Sequence, residues 1–557
     1  MRLDPARELR TRIDLIENRL YRGQAPAYTS ELVLADVTLD ARRRFAHVSG
    51  DLSGRYVGAL ALMEPAQDTP GLADLVARLL ETQRPDGRFG DGSLAFTRDA
   101  IGPAHTALLG GNGRLLTGLL EYRSARDAPD VLPAAERLGA FLQGILQECT
   151  SPEALRRLDD GPFGLLSVTQ LIEGFVRLAA ALGTDRYLEP ARRLTRLIPA
   201  RRNRHAHGYL TSLRGALLLY EATGEGVHLR QVREAFDGLV SSADYTVYGS
   251  VLEYFDPDAA RDQGSAHAGL LRLALGLWHA TGETRYLDLA ERCLLNAFFF
   301  NQFSTGDFGH HVVFSAGFQP TPSIGRAWWC CTLEGLRAFR DVIDAIVTTD
   351  GGAVKVNLLL DAAQAGEGLS VTVRRYPFTL TIEASDEAER SILLRLPPWL
   401  ENPAIRVNKM PAVWDIQDGY AHLRRPWRRG DHIELDGAFA ARLEMRDGRI
   451  LAPADVGREP VEAALMYGPW LLGVNEFHEP LFFGEPWEQN TITLPQDLAA
   501  SLAAGPTEGP LSVPVAHLRL SCEHEGFPGK QSVTLRPISE MTSHAQATVA
   551  AWLRFRR

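Results

Sequence analysis

The feature that most constrains this chain is a change of hydrophobic period near residue 346. Before it, apolar residues recur at the i, i+3, i+4, i+7 spacing of one helix face, as in Leu72, Leu75, Val76, Leu79 and again in Leu270, Leu273, Ala274, Leu277. After Thr348, Thr349 and Asp350, apolar residues alternate or run together over short stretches, at 369–383, 390–396 and 432–435, between Gly, Pro and Asp turns. The first part is therefore expected to be helical and the second all-β. Within the helical part, three segments share one pattern around Gly183, Gly224 and Gly282, which lie 41 and 58 residues apart. Each reads as a helix, a glycine that ends it, a short turn and a second amphipathic helix. Repeated hairpins of this length either stack as a solenoid or close into an (α/α) toroid. The segment from about 485 onward carries weaker signals, for extra strands or a helical tail.

Composition narrows the function classes. The chain has 557 residues, 45% hydrophobic and 23% charged, the balance of a globular protein with a sizeable core. Lys plus Arg number 59 against 69 Asp plus Glu, a formal net charge of −10, which disfavours nucleic acid or an anionic membrane as partner. The start, Met1-Arg2-Leu3-Asp4-Pro5, lacks the apolar run of a secretory signal, so a cytoplasmic location is expected. Five cysteines, Cys149, Cys293, Cys330, Cys331 and Cys522, are too few for a disulfide framework and are expected to be reduced.

Two of the five are adjacent, and they are the first candidates for chemistry. Cys330-Cys331 follow Trp328-Trp329 and precede Thr332-Leu333-Glu334-Gly335-Leu336-Arg337, which reads as the opening of a helix. A thiol near a helix N-terminus ionises more readily, and the thiolate is the form that attacks carbon or binds zinc. Two buried cysteines packed under tryptophans is the plainer alternative, and two sulfurs alone make an incomplete zinc site. Glu253, in Tyr248-Gly-Ser-Val-Leu-Glu253-Tyr-Phe255, could be desolvated by its aromatic neighbours into a general acid, or could be an ordinary loop glutamate. His205 and His207 either line a cavity and hydrogen-bond a polyol or cap a helix. His310-His311 read as strand or loop. No phosphate-cradling loop, Gly-x-Ser-x-Gly elbow or His-Glu-x-x-His pair is present.

Taken together, these pieces resemble glycoside hydrolase family 127, the β-L-arabinofuranosidase-like proteins, over about Leu72 to Leu472. The residues that carry the resemblance are Trp328-Trp329-Cys330-Cys331 with Arg337, the segment Thr281 to Arg292 with Asn296, and Gln83-Arg-Pro-Asp86-Gly87. In the second part they are Arg425-Pro-Trp427-Arg-Arg-Gly430-Asp431 and Tyr467-Gly468-Pro469. The resemblance implies an α+β multidomain protein, with an (α/α)6 barrel over 1–345 and a β-sandwich over 346–557. It also implies a retaining glycosidase whose cysteine nucleophile sits beside zinc. Carried over residue by residue, Cys330 matches the nucleophile, Cys331 a zinc ligand and Glu253 the acid/base.

The match breaks on the expected inner face. The family's upstream zinc ligands, a glutamate and a cysteine, fall on Gln263 and Ser265, neutral groups that bind zinc poorly. Asp262 and His267 stand nearby as substitutes, a Gly-His becomes Gly111-Asn112, and another expected His falls near Thr169. After the cysteine pair, Glu334 is a carboxylate the family lacks. The expectation is a glycoside hydrolase-like enzyme acting on a small glycoside or oligosaccharide, an arabinofuranoside among the options. Glu253 would be its acid, with either Cys330 as nucleophile or Glu334 as a second carboxylate activating water. His205, His207, Asn112 and Trp329 would bind substrate, and zinc would rest on Cys330 and Cys331 with an incomplete ligand set. The alternatives are a non-catalytic carbohydrate-binding scaffold and, behind it, a lyase or epimerase. The partner is a small carbohydrate, with no nucleic acid and no membrane. The oligomeric state is open, a homodimer included.

Overall fold

A computed structural model describes residues 2–22, 27–38, 49–62, 71–126, 128–256, 259–314, 317–320, 328–350, 352–366, 369–374, 378–384, 389–484, 486–502, 511–524, 529–543 and 547–557. Six helices carry the site. They are α1 (Asp51–Leu62), α2 (Pro103–Ala125), α3 (Leu171–Leu182), α4 (Ala206–Thr223), α5 (Gly264–Thr281) and α6 (Trp329–Ile346). Each packs on the next, and α6 packs back on α1, so the six close into a ring. The toroid is thus the form the repeated hairpins take, and the helical part resembles an (α/α)6 barrel.

Outer helices such as Val131–Cys149, Leu188–Thr195, Gly226–Val240 and Arg285–Arg292 pack on this ring through apolar stripes, such as Val232, Phe236 and Leu239. The three hairpin glycines end their helices in left-handed backbone, with φ of 63° at Gly183, 71° at Gly224 and 74° at Gly282, a region that favours glycine.

Helix α6 ends at Ile346, and the strand Val347–Asp350 starts the β part. Among the described residues the strands form three sheets, of seven, five and eleven strands. Between Val347 and Phe439 the chain passes back and forth between the first two, burying Val371, Val373, Ile382 and Ile433 from one and Val356, Ile392, Leu394 and Leu423 from the other. The third sheet takes most of the chain from Ala441 to Arg556, so the region after 485 supplies strands, not a helical tail. Two pieces of the helical part also join sheets. Arg2–Pro5 pairs antiparallel with Ala362–Gly366, and the hairpin of His311–Phe314 and Gly317–Pro320 extends the third sheet. No helix among the described residues is long and apolar enough to cross a membrane.

Candidate active site

A cavity of about 390 Å3 opens at one end of the ring, a size suited to a small organic ligand. Cys330, Trp329, His205, His207, Glu253, Gln263 and Ser265 line it, so most of the residues singled out in the sequence meet in one place.

Helix α6 begins at Trp329, which puts the Cys330 thiol in its first turn. The two sulfurs stand 3.9 Å apart, and the Cys331 thiol points at the Ser265 hydroxyl, 3.8 Å away. Burial opposes ionisation of both. At Cys330, the neighbouring thiol and the charge of Arg55 outweigh it, and the pKa falls below the ordinary thiol value. Cys331 goes the other way, held neutral by burial and by its neighbour's charge.

Glu253 sits on the loop between the helix Gly226–Val240 and α5 and is only 6% exposed. One of its oxygens accepts from Arg261 Nε at 2.6 Å, and the other faces the Gln263 amide nitrogen at 3.4 Å. Burial raises the carboxyl pKa, and Arg261 offsets only part of the rise. Gln263 is itself buried, and its side-chain oxygen has no hydrogen-bond partner among the described residues. A buried acceptor on a cavity wall is satisfied by a donor from solvent or from a ligand.

The histidines are held in defined tautomers by their partners. His205 caps α4, its Nδ1 accepting from the Gly208 N–H at 3.2 Å, and its ring lies 4.6 Å from that of Phe163 at the cavity wall. Its pKa is lowered to about 3, by burial and then by Arg114 and Arg55. His207 Nε2 accepts from Arg55 Nη1 at 3.1 Å, so Nδ1 carries the proton and donates to the Ser265 carbonyl at 2.9 Å. Burial and Arg55 keep this ring neutral as well.

Three expectations are corrected. Asn112 does not line the cavity. It is fully buried, accepting from the Phe89 N–H and donating to the Ser49 and Phe89 carbonyls, so its amide is consumed in holding a loop against α2. Glu334 is no free base. Its carboxylate accepts from Arg55 (2.6 Å), Arg337 (3.0 Å) and Arg272 (3.1 Å), and burial notwithstanding, these cations hold it well below the usual carboxylate range. Asp262 and His267 are committed to each other at 3.1 Å, with His311 and Asn301 completing the Asp262 carboxylate. They are not substitutes at the cysteine pair.

What sequence reasoning missed is a set of arginines. Each inner helix contributes one: Arg55, Arg114, Arg177, Arg214, Arg272 and Arg337. Their partners are Asp51, Glu121, Glu173, Glu334 and Asp341, shared so that every carboxylate meets two or three guanidiniums. The available signal was an arginine inside each apolar inner-helix pattern. Such a residue is tolerated on an inward face only when ion-paired.

Comparison with known proteins supports the fold. A family model described as the β-L-arabinofuranosidase GH127 middle domain matches residues 372–438. A GH127 β-L-arabinofuranosidase from Geobacillus stearothermophilus T6 superposes with a TM-score of 0.72 at 15% identity, over 100% of both chains. The chain is GH127-like. A protein described as a glycoside hydrolase gives 0.70 at 16% identity over 100% of this chain and 97% of its own. A second GH127 β-arabinofuranosidase gives 0.69 at 14% identity, over 99% and 98%. No curated protein matches the sequence. At these identities the likeness to the solved structures shows the fold, and residues 372–438 include none of the cavity residues.

Zinc, the metal the GH127 resemblance implies, does not fit this donor set. The Cys331 thiol faces a serine hydroxyl, and the position of the upstream glutamate is a glutamine on the same cavity wall. No group of three or more His, Cys, Asp or Glu among the described residues is arranged to hold a metal ion.

Proposed function

We propose that this GH127-like chain is a glycoside hydrolase acting on a small glycoside or oligosaccharide in the ring cavity, by a route that needs no zinc. The observation that carries the reading is that a buried Glu253, its pKa raised by desolvation, and a Cys330 with a lowered pKa line one cavity with the unpartnered Gln263 oxygen. In the first step Cys330 sulfur bonds to the anomeric carbon, the glycosidic C–O bond breaks, and Glu253 gives its proton to the departing oxygen. In the second, Glu253 takes a proton from water, the water oxygen bonds to the same carbon, and the thiolate leaves. Two displacements retain configuration. Gln263 accepts a sugar hydroxyl, while His205, His207 and Trp329 shape the pocket. The ring is read as the catalytic unit and the β part after Ile346 as accessory.

The test is a screen of aryl furanosides and pyranosides, beginning with an aryl β-L-arabinofuranoside, with and without a chelator. Turnover is expected to be indifferent to the chelator and to fall to background in Cys330→Ser. In Glu253→Gln it should fall about 10²- to 10⁴-fold, the range of a lost general acid. Full activity in Cys330→Ser rejects the nucleophile, and substrate binding without turnover in the wild type selects the carbohydrate-binding alternative.

A further inference from the structure

Among the described residues the arginines of the inner ring outnumber the carboxylates they pair with. Six guanidiniums, one from each inner helix, meet five carboxylates in a connected network that is buried at Arg55, Arg272, Arg337, Glu121, Glu173 and Glu334 and partly exposed elsewhere. Asp51 shows the shortage most directly. A single one of its oxygens accepts from both Arg55 Nε (2.9 Å) and Arg114 Nη1 (2.5 Å), while the other end of the Arg114 fork rests on the neutral Gln170 amide. Arg55 is also drawn to Glu334, which two further arginines share. Two further carboxyls among the described residues lie near the network: Asp36 bonds the Leu52 and Ser53 N–H groups, and burial with the Asp51 charge pushes it up to about 7, while Glu221 feels Arg214 and Arg177 but is raised by burial.

The network also has a direction. Below the cavity it surrounds a small internal void lined by Arg55, Arg114, Arg214, Arg272 and Arg337. Of its members, only Arg55, Arg114 and Asp51 reach the cavity itself. Arg114 is 19% exposed there against 2% for Arg55. Burial and the adjacent Arg55 charge lower the Arg114 pKa, whereas Arg55, Arg177 and Arg272 are raised by their carboxylates. Of the remaining cavity groups, Glu253 faces Arg261, and the Cys330 thiol, beside Arg55, carries negative charge when ionised, which leaves Arg114 as the guanidinium turned to the cavity.

We infer that the cavity takes a sugar bearing an anionic group, a carboxylate or a phosphate, seated against the Arg114 guanidinium with Arg55 behind it. The inference rests on the reading of the cavity as a sugar site and names the class of sugar. A planar, partly exposed fork with N–H donors beyond its bonds to Asp51 and Gln170 discriminates an anion from a hydroxyl. A partly desolvated pair is screened weakly by salt, so the preference persists at physiological ionic strength.

Binding, measured by titration calorimetry without any turnover, separates this inference from the proposed hydrolysis. The probes are D-glucuronate, D-glucose 6-phosphate, D-glucose and inorganic phosphate at one ionic strength. At least one charged sugar is expected to bind tenfold or more tighter than glucose and tighter than inorganic phosphate. Which one binds identifies the anionic group. Arg114→Met should abolish the preference and Arg114→Lys should keep part of it. Equal binding of glucose and both charged sugars, no binding of either charged sugar, or a preference untouched in folded Arg114→Met overturns the inference. If Arg114→Met does not fold, the wild-type preference still decides. A strong preference in a protein that hydrolyses nothing leaves the inference standing and removes the hydrolase reading.

Discussion

Glu253 is pulled two ways. Desolvation favours its neutral form and the Arg261 fork favours its anion, with the first winning. Removing the fork removes the opposing pull, so Arg261→Met should raise the Glu253 pKa further. The limb of the kcat/KM profile that Glu253 governs then moves to higher pH, with the enzyme remaining protonated there over a wider range. A profile that superimposes on the wild type would show that another group is the acid. Glu253 and Cys330 were legible in the sequence because each stands in a short motif whose chemistry is local, a desolvating aromatic pair and a helix start. Gln263 and Ser265 were legible as departures only through the family resemblance, which lines them up from Thr281-Gly282. Asn112 was misplaced because its partners, Phe89 and Ser49, are 23 and 63 residues away. The placement of Glu334 failed similarly, since two of its three arginines lie on other helices.

At the scale of elements, helix ends were readable and helix contacts were not. A glycine after an amphipathic run signals a left-handed cap wherever the chain goes, which is why Gly183, Gly224 and Gly282 mark three hairpins. The glycines of α1 and α2 carry no such local sign, yet they determine how closely the first two inner helices approach. A Cβ on Gly118 would fall on the Gly54 carbonyl, and one on Gly54 would meet the Leu115 backbone at 2.5 Å. Because both obstacles are backbone, neither can swing aside. Gly118→Ala should push α1 from α2 and cost about 1–3 kcal/mol in urea unfolding, the usual penalty of overpacking. Since Asp51, Arg55 and Arg114 ride on these two helices, anion preference should weaken with it. Unchanged stability in this variant would mean that the two helices are not in fact locked by glycine contact.

At the scale of the molecule, the change of period near residue 346 separated two kinds of secondary structure but gave no sign of how tightly they are joined. The joint is built from charges on the outer helix Arg285–Arg292. Arg395, fully buried on the strand Glu389–Arg395, donates to Asp288 at 2.5 Å and to both oxygens of Glu291 at 3.2 Å, and Trp399 Nε1 adds a bond to Glu291 at 2.6 Å. Nearby, Asn296 bonds the backbone of Pro469 and Leu471, which ties the same helical segment to the third sheet. Replacing Arg395 by methionine keeps the apolar stem but leaves Glu291 buried with a single tryptophan N–H. A buried carboxylate stripped of its cation costs about 3–5 kcal/mol. That loss falls on the joint, so urea unfolding followed by far-ultraviolet dichroism and by tryptophan fluorescence should separate into two transitions in Arg395→Met. Adding Glu291→Gln removes the stranded charge and should bring the two transitions back toward coincidence. If Arg395→Met unfolds in one coincident transition at the wild-type midpoint, the buried ion cluster does not hold the helical and β parts together.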